Sequence, residues 1–539
     1  MLNKDSLLIF FTGVVVFTIG LSPEFTGFNC RFAVFAQEML HNGPTFFPTT
    51  YGQPYPDYTG ASTLMIYLVS LPFGKVTPFT SVLPTAIVSA LILVFIYRIG
   101  AMHSRNCGLF AVLFALCTNE FFSLSRSVSI DQYTSLATVV CFYIVYSSAI
   151  YNRRKRLWLI PLLLMVGFVF RGPIGLIVPA SVVCAYHLYN RDFEDFAFTA
   201  SASAMLLVTY SIILLAAAQY QGGETFVRQV IEAQVTGRLS GYPKHWVGYY
   251  FIESLGRYAL SYPFAVIVIV ALHKRIFSGE KHDDCRLLAP LVIWIMVVLV
   301  GMSIPSARKI RYVLPMIPAV ALIGSYVFVY PYRNNILSGV KKIFLQFCSW
   351  FPLGVAIFSM FAWLLSQRID SLFGADYSVI AILTILLAII SWLLNIRLKN
   401  DDKKNLVLMA LVTTTFIIVT ICVIEPIDYY RNSTKPFVAK VEALRSQKAG
   451  EVVFYRIGAD SEAIKFMANL DKPLKPQFIN NPTDILRFQV PVCFIALKED
   501  FEALPKNLTL KIKPVFSGKI GRDDCIVFVC KSSHLHRQF

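Results

Sequence analysis

The chain has 539 residues, of which 56% are hydrophobic and only 15% charged, where soluble domains carry about 25% charged residues. A soluble chain of this length would divide into separate cores joined by polar linkers; here long apolar runs succeed one another across short charged gaps, which excludes that class. The formal net charge of +17 lies in short clusters between those runs, a pattern that excludes a nucleic-acid footprint and fits loops obeying the positive-inside bias.

Thirteen apolar stretches read as membrane spans, at 6–22, 80–99, 107–122, 132–150, 157–169, 173–189, 196–218, 254–273, 287–303, 312–331, 340–365, 378–397 and 405–424. A bilayer core demands about 20 apolar residues per helix. The first stretch is preceded by Lys4 as its only cation and followed by Ser22-Pro23-Glu24. That is a poor signal-peptide cleavage site, so the stretch reads as a retained span. The connection 23–79 contains a helix over 29–41, with Asn29 as N-cap and Gly43 as terminator. Phe32, Phe35, Ala36, Met39 and Leu40 share one face of it, which suits the membrane interface. The apolar run 157–189 is too long for one crossing, and Arg171-Gly172-Pro173 interrupts it. Because a charge is expensive at the bilayer centre, this tripeptide is expected at the outer surface between two short spans.

Arg98 with Arg105, the run Arg153-Arg154-Lys155-Arg156, His273-Lys274-Arg275, Lys341-Lys342 and Arg397, Lys399 and Lys403-Lys404 all fall on one side of this count. That side is the cytoplasm, and an odd number of spans places the C-terminus outside. The opposite face receives the long connections 23–79, 219–253 and 304–311. Residues 1–425 form the transmembrane domain. Residues 426–539 form a small soluble α/β domain, with strands expected at 451–456, 490–497 and 525–530 and a helix at 461–469. Cys117, Cys141, Cys184 and Cys422 sit in apolar runs as small buried residues. Cys493, Cys525 and Cys530 lie in the tail, where an oxidising compartment permits a disulfide that spacing cannot assign.

Charges on the outer face defy the bias and draw attention for that reason. Arg126 and Asp131, five residues apart, either cap the fourth span as a local ion pair or belong to a site. Arg171 at its Gly-Pro turn suits phosphate oxygens or headgroup anchoring. Arg308, Lys309 and Arg311, followed by Tyr312, put three cations in one outer loop, which suggests an anionic ligand or anionic lipid headgroups. Glu24, Glu38 and Asp57 are the carboxylates of the first outer connection, and one of them with Asp131 could act as base or metal ligand. A divalent metal would be held by His245, which lies beside Trp246, only with a carboxylate partner such as Asp57. Together these residues describe an outward anionic site suited to a lipid-phosphate substrate; no Walker loop, H-E-x-x-H or G-x-S-x-G occurs in a credible context.

Arg31-Phe-Ala-Val-Phe-Ala-Gln-Glu-Met39 with Gly43 and Pro48 resembles the first periplasmic loop of bacterial glycosyltransferases that use polyprenyl-phosphate sugars. These are the aminoarabinose-transferase-like, or dolichyl-phosphate-mannose protein mannosyltransferase-like, enzymes of the GT-C fold. Arg126 and Asp131 fit their R-x(4)-D element, 171–179 (RGPIGLIVP) resembles K-G-P-I-G-L-x-x-P, and 309–318 (KIRYVLPMIP) resembles K-x-R-Y-x-L-P-x-x-P. The resemblance implies a GT-C-like α-helical polytopic protein in the bacterial inner membrane with its C-terminal domain in the periplasm. It implies transfer of a sugar from an undecaprenyl-phosphate-like donor to a lipid, glycan or protein acceptor, with a groove between spans for the polyprenyl chain. Arg171, Lys309, Arg311 and Tyr312 would hold the donor phosphate. Asp57 and Asp131 would orient or deprotonate the acceptor, Arg31 would position one of them, and Glu24, Asn29 and Arg126 would supply an acid or orient the others. The family's D-E-x-R-Y is here Phe28-Asn29-Cys30-Arg31, its E-K-P is Asp57-Tyr58-Thr59, and the lysine of its K-G-P is Arg171. Asn29 cannot act as a general base, so another carboxylate serves, or a phosphate acceptor needs none, or the protein is a catalytically degenerate binder of lipid-linked sugar. A transporter would gather ionisable residues near the midplane in repeated halves, which the sequence does not show.

Overall fold

A segment in hydrocarbon has to satisfy its own backbone hydrogen bonds, and every apolar run folds as helix wherever the structure describes it. The computed structural model describes residues 3–241, 244–277, 286–330, 335–366, 377–397, 401–448, 451–472, 474–488 and 492–530. Lys399 of the basic clusters and residues 490–491 of the predicted second tail strand lie outside them. The chain begins with α1 (Lys4–Thr18), α2 (Asn29–Asn42), a two-residue hairpin of β1 (Thr49–Thr50) and β2 (Gln53–Pro54), and α3 (Ala61–Ser70). There follow α4 (Pro78–Ala101), α5 (Arg105–Leu116), α6 (Asn119–Ser125), α7 (Asp131–Tyr151), α8 (Leu159–Arg171), α9 (Pro173–Asn190) and α10 (Phe193–Ile231). The membrane part is completed by α11 (Gly237–Ser240), α12 (Tyr249–Arg257), α13 (Ser261–Phe277), α14 (Leu288–Ser303), α15 (Ile317–Val329), α16 (Asn335–Ser366), α17 (Tyr377–Arg397) and α18 (Asp401–Val419).

Among the described residues, eight helices are long and apolar enough to cross a membrane, and two bent pairs bring the number to ten. The chain is an α-helical multi-pass membrane protein. The shorter α1, α8 and α14 account for the remaining predicted runs. The third and eighth predicted runs are each bent at a break: α5 and α6 meet at 76°, and α12 and α13 at 117°. Two expectations need correction. The connection after the seventh run is not a loop from 219: α10 continues to Ile231 across a break at Gly223 (φ 69°), and a π-turn (Glu232–Thr236) leads into α11. Asn29 is not the cap of α2; Phe28 takes that position, and the side-chain Oδ1 of Asn29 accepts the backbone N–H of Val128 at 2.8 Å.

The turn between α8 and α9 has a local cause. Gly172 adopts φ 65°, ψ −151°, a region open essentially to glycine, and Pro173 starts α9 where its missing N–H costs nothing. Gly167 and Gly175 then touch: a Cβ on Gly167 would lie 2.1 Å from the Gly175 carbonyl, so only glycine lets the two helices pack this closely.

After α18 a π-turn leads into α19 (Glu425–Asn432), and the tail continues with α20 (Lys435–Lys448), β3 (Glu451–Tyr455), α21 (Glu462–Ala468), β4 (Gln477–Ile479), β5 (Val492–Leu497), β6 (Ile512–Ile520) and β7 (Asp523–Cys530). The strand order is β4-β3-β5-β7-β6, parallel among the first three and antiparallel at the other edge. The sheet packs against α2: Phe32 and Phe35 share one apolar core with Phe437, Phe454 and Phe466. The apolar face of α2 is therefore covered by protein and does not lie open in the interface. The Asn469 side chain exchanges two 2.9 Å hydrogen bonds with the Phe25 backbone. Cys525 and Cys530 are thiols that donate to the carbonyls of Asp523 and Ile485.

Glu24 is 2% exposed and accepts the backbone N–H groups of Thr434 (3.3 Å) and Lys435 (2.5 Å), where α20 begins. A carboxylate there satisfies orphan donors and complements the helix dipole. Glu24→Ala is expected to destabilise the docked tail by about 2 kcal/mol. Limited proteolysis of the protein in detergent should then cut the tail faster; unchanged cleavage would count against the clamp.

Candidate active site

Four segments far apart in sequence meet around Asp131, the first residue of α7. Arg171, the last residue of α8, donates from Nε to Asp131 Oδ1 at 2.9 Å. Arg311 comes from a 3-10 turn (Ile310–Met316) that enters α15, and its Nε lies 3.3 Å from Asp131 Oδ2. Both carboxylate oxygens are thus engaged by guanidinium groups. The pair with Arg171 is buried, with side chains 3% and 8% exposed. Tyr312 fills the space beneath them: the Arg171 and Arg311 guanidinium carbons lie 5.6 and 5.9 Å from its ring centre. Arg311 also covers the Phe28 ring at 4.5 Å, which brings the start of α2 to the cluster.

A second pair sits beside the first. Arg238, from α11, donates to Asp57 Oδ1 at 3.0 Å and to the Asp57 carbonyl at 3.3 Å. Gln234, from the π-turn, donates to the Asp57 carbonyl at 2.7 Å. A Cβ on Gly172 would meet Gln234 Oε1 at 3.1 Å, and Thr59 donates to the Val169 carbonyl at 2.6 Å, so the Asp57 loop is seated on the α8–α9 turn. Asp57 keeps about a third of its side chain exposed, 34% against 8% for Asp131. Burial pushes the Tyr58 phenol up to about 12, with the Asp57 charge adding to it and Arg171, Arg311 and Arg31 opposing. Tyr58 therefore remains a neutral hydrogen-bond donor across the physiological range. Arg31 stands at the edge, 3.6 Å from Asp460 of the tail and over the Tyr55 ring at 5.1 Å.

Three guanidinium groups, on Arg171, Arg311 and Arg238, face Asp131 and Asp57, and Glu120 adds a carboxylate near Arg311 and Asp131 with Arg257 beside it. Lys309, exposed, precedes the same turn that carries Arg311. Arg31 Nε, Arg238 Nη1 and Arg311 Nε are buried with no hydrogen-bond acceptor among the described residues; Arg311 Nε is close to Asp131 but misaligned with it. Buried donors are nearly always satisfied in folded proteins, so three orphans in one region mark a place for an acceptor-rich anion.

Other expected site residues have different partners. Arg126 does not pair with Asp131: it makes a two-pronged bond to Glu425 (2.6 and 2.7 Å) and a third bond to the Val16 carbonyl, tying α6 to α19 and α1. Glu24 is committed to α20 and Glu38 to Thr49 and Tyr51 in the hairpin. Arg308 is buried on the carbonyls of Ser303 and His245. The His245 ring stacks on Tyr249 at 4.0 Å. Among the described residues, neither His245 nor Asp57 belongs to a group of three metal-ligating side chains. Arg238 and Gln234 escaped the sequence reading. Arg238 had a usable signal, being a cation in an outer connection; Gln234 had none.

Gly172→Ala would force a side chain into the φ 65° conformation and toward Gln234. It is expected to cost about 1–3 kcal/mol and to lower activity by displacing Arg171. Thermal unfolding and turnover on the same preparation check this, and unchanged values for both would refute the strain.

Residues 61–218 match the family described as dolichyl-phosphate-mannose-protein mannosyltransferase. The crystal structure of ArnT from Cupriavidus metallidurans bound to undecaprenyl phosphate superposes with a TM-score of 0.70 at 12% identity, covering 97% of each chain. The apo state of the same protein gives 0.71 at 13% identity, again with 97% of each chain covered. The chain therefore has the GT-C fold of ArnT, membrane part and tail domain together. No curated protein sequence matches it.

Proposed function

We propose that this chain is a glycosyltransferase that moves a sugar from a polyprenyl-phosphate donor to an acceptor on the periplasmic face of the bacterial inner membrane. The observation that carries the reading is the trio of buried guanidinium N–H groups without acceptors, on Arg31, Arg238 and Arg311, around Asp57 and Asp131. The match of residues 61–218 and the fold shared with ArnT, a protein crystallised with undecaprenyl phosphate, support the same class. The basic clusters expected on the other side of the spans support outer placement of the site and of residues 426–539.

In this reading Arg311 and Arg238, with Lys309, hold the donor phosphate. Arginine forks match phosphate oxygens in two-pronged geometry. Tyr312 supports the guanidinium planes from below. An acceptor oxygen attacks the anomeric carbon, the bond from that carbon to the phosphate oxygen breaks, and the polyprenyl phosphate leaves with the electron pair. Its new charge is met by cations already fixed in place. Asp57, the more exposed carboxylate, takes the proton of a hydroxyl acceptor. Asp131, with both oxygens engaged, holds Arg171 and Arg311 in position.

The test is to incubate the purified protein in nanodiscs with labelled polyprenyl-phosphate sugars and envelope acceptors, and to follow label into product. Transfer is expected; tight donor binding with no transfer to any acceptor would favour a binding protein instead. Arg238→Ala and Arg311→Ala should each weaken donor affinity by about tenfold or more, the loss of a charged hydrogen bond of about 1.5–3 kcal/mol. Unchanged donor KM in both variants would remove the phosphate from this place.

A further inference from the structure

The last turn of α9 carries a histidine with nothing to bond. His187 is 2% exposed, and neither ring nitrogen has a hydrogen-bond partner among the described residues. Just beyond it the chain reverses. Arg191 takes φ 61°, and the Asp192 N–H donates to the His187 carbonyl at 2.9 Å. α10 then starts at Phe193, which brings Asp192 and Asp195 back over the His187 ring. One nitrogen of His187 and one carboxylate oxygen from each aspartate lie within 4.8 Å of one another. Neither aspartate makes an ion pair among the described residues. A buried imidazole with two unmet nitrogens is costly, and two adjacent carboxylates repel each other; a cation among the three relieves both.

We propose that His187, Asp192 and Asp195 bind a divalent first-row transition ion, of the Zn2+ or Mn2+ kind, at the end of α9 remote from the Asp131 cluster. The donor set decides the class. One imidazole nitrogen and two carboxylate oxygens suit such ions, whereas Ca2+ and Mg2+ prefer oxygen alone. Ligands on a tetrahedral ion with bonds near 2.1 Å stand about 3.4 Å apart, so Asp192 and Asp195, both half-buried, close inward on binding. Along α9, His187 is about 21 Å from Pro173, two residues after Arg171, at 1.5 Å per residue. It cannot touch the reacting groups, and the ion staples the turn that joins α9 to α10.

Full-length protein with any affinity tag removed is stripped with chelator in nanodiscs, then equilibrated with Zn2+ or Mn2+. Bound metal is counted by mass spectrometry, and the unfolding temperature is read with and without ion. One ion per chain and a raised Tm are expected. His187→Gln, and separately Asp192→Asn and Asp195→Asn, should each weaken binding at least tenfold and remove the metal-dependent part of the Tm shift. The two aspartate variants change half-buried groups, so they keep the test informative if the histidine variant fails to fold. His245→Ala should leave uptake unchanged. No uptake by the stripped protein, uptake that survives all three site variants, or uptake lost in His245→Ala would each overturn the proposal.

Discussion

Asp131→Ala is expected to remove sugar transfer and to lower the unfolding temperature of the protein in the same experiment. The variant deletes the carboxylate that engages Arg171 and Arg311 together, and Arg171 is then left as a buried charge without its partner. Breaking a buried pair from one side costs about 3–5 kcal/mol. Activity is expected to fall about 10³-fold or more, because Arg311, which faces the phosphate, and Arg171 beside it lose their common anchor and misplacement by an ångström costs about 10²-fold. Arg171→Lys separates charge from geometry: it keeps a cation but loses the planar fork, so it should recover much of the stability and little of the rate. Turnover and thermal unfolding measured on Asp131→Ala, Arg171→Ala and Arg171→Lys make the comparison. Wild-type turnover in Asp131→Ala would remove this residue from the site, whatever its effect on stability.

Asp57→Asn is expected to lower kcat by about 10²–10⁴-fold, the usual span for a lost general base, the role proposed for Asp57, while donor KM stays near the wild-type value. The substitution preserves shape and still offers an oxygen to Arg238, so the loop should remain seated through Gln234 and Thr59. What the variant removes is the carboxylate proposed as proton acceptor. Full turnover in this variant would mean that the acceptor needs no base, as for a phosphate oxygen that is already nucleophilic. Either result therefore reports on the acceptor as well as on Asp57.

The pairings could not be read in advance. Arg126 and Asp131 look like neighbours at a spacing of five, yet Arg126 turns to Glu425, 299 residues away, and Asp131 to Arg171 and Arg311. Glu24 looks like a free acid beside the site, and it serves instead as the cap of α20, 410 residues away. Arg238 looks like one cation among several in a long connection until Asp57 is found against it. A charged side chain in a dry environment takes its partner from whatever segment packs nearest, and primary spacing carries no record of that.

Other features were legible because their causes are local. Helical spans follow from hydrophobic length and from the need to satisfy backbone groups within one segment. The reversal at Arg171-Gly172-Pro173 follows from a charge too costly for the bilayer centre, a glycine-only backbone conformation and a proline suited to starting a helix. Three tail strands, β3, β5 and β7, stand out as apolar runs, whereas the three-residue β4 and β6, which mixes Lys513, Pro514, Ser517, Gly518 and Lys519 with its apolar residues, are not expected from the sequence. By itself the sequence determined that this chain crosses a membrane many times, where it turns, and which residue types crowd one face. Only the tertiary structure decided that Asp131 joins two arginines, that Arg238 holds Asp57, and that α2 is clasped by the tail sheet. Burial length and backbone hydrogen bonding act within a segment, while ion pairing and packing act through space between segments that only folding brings together.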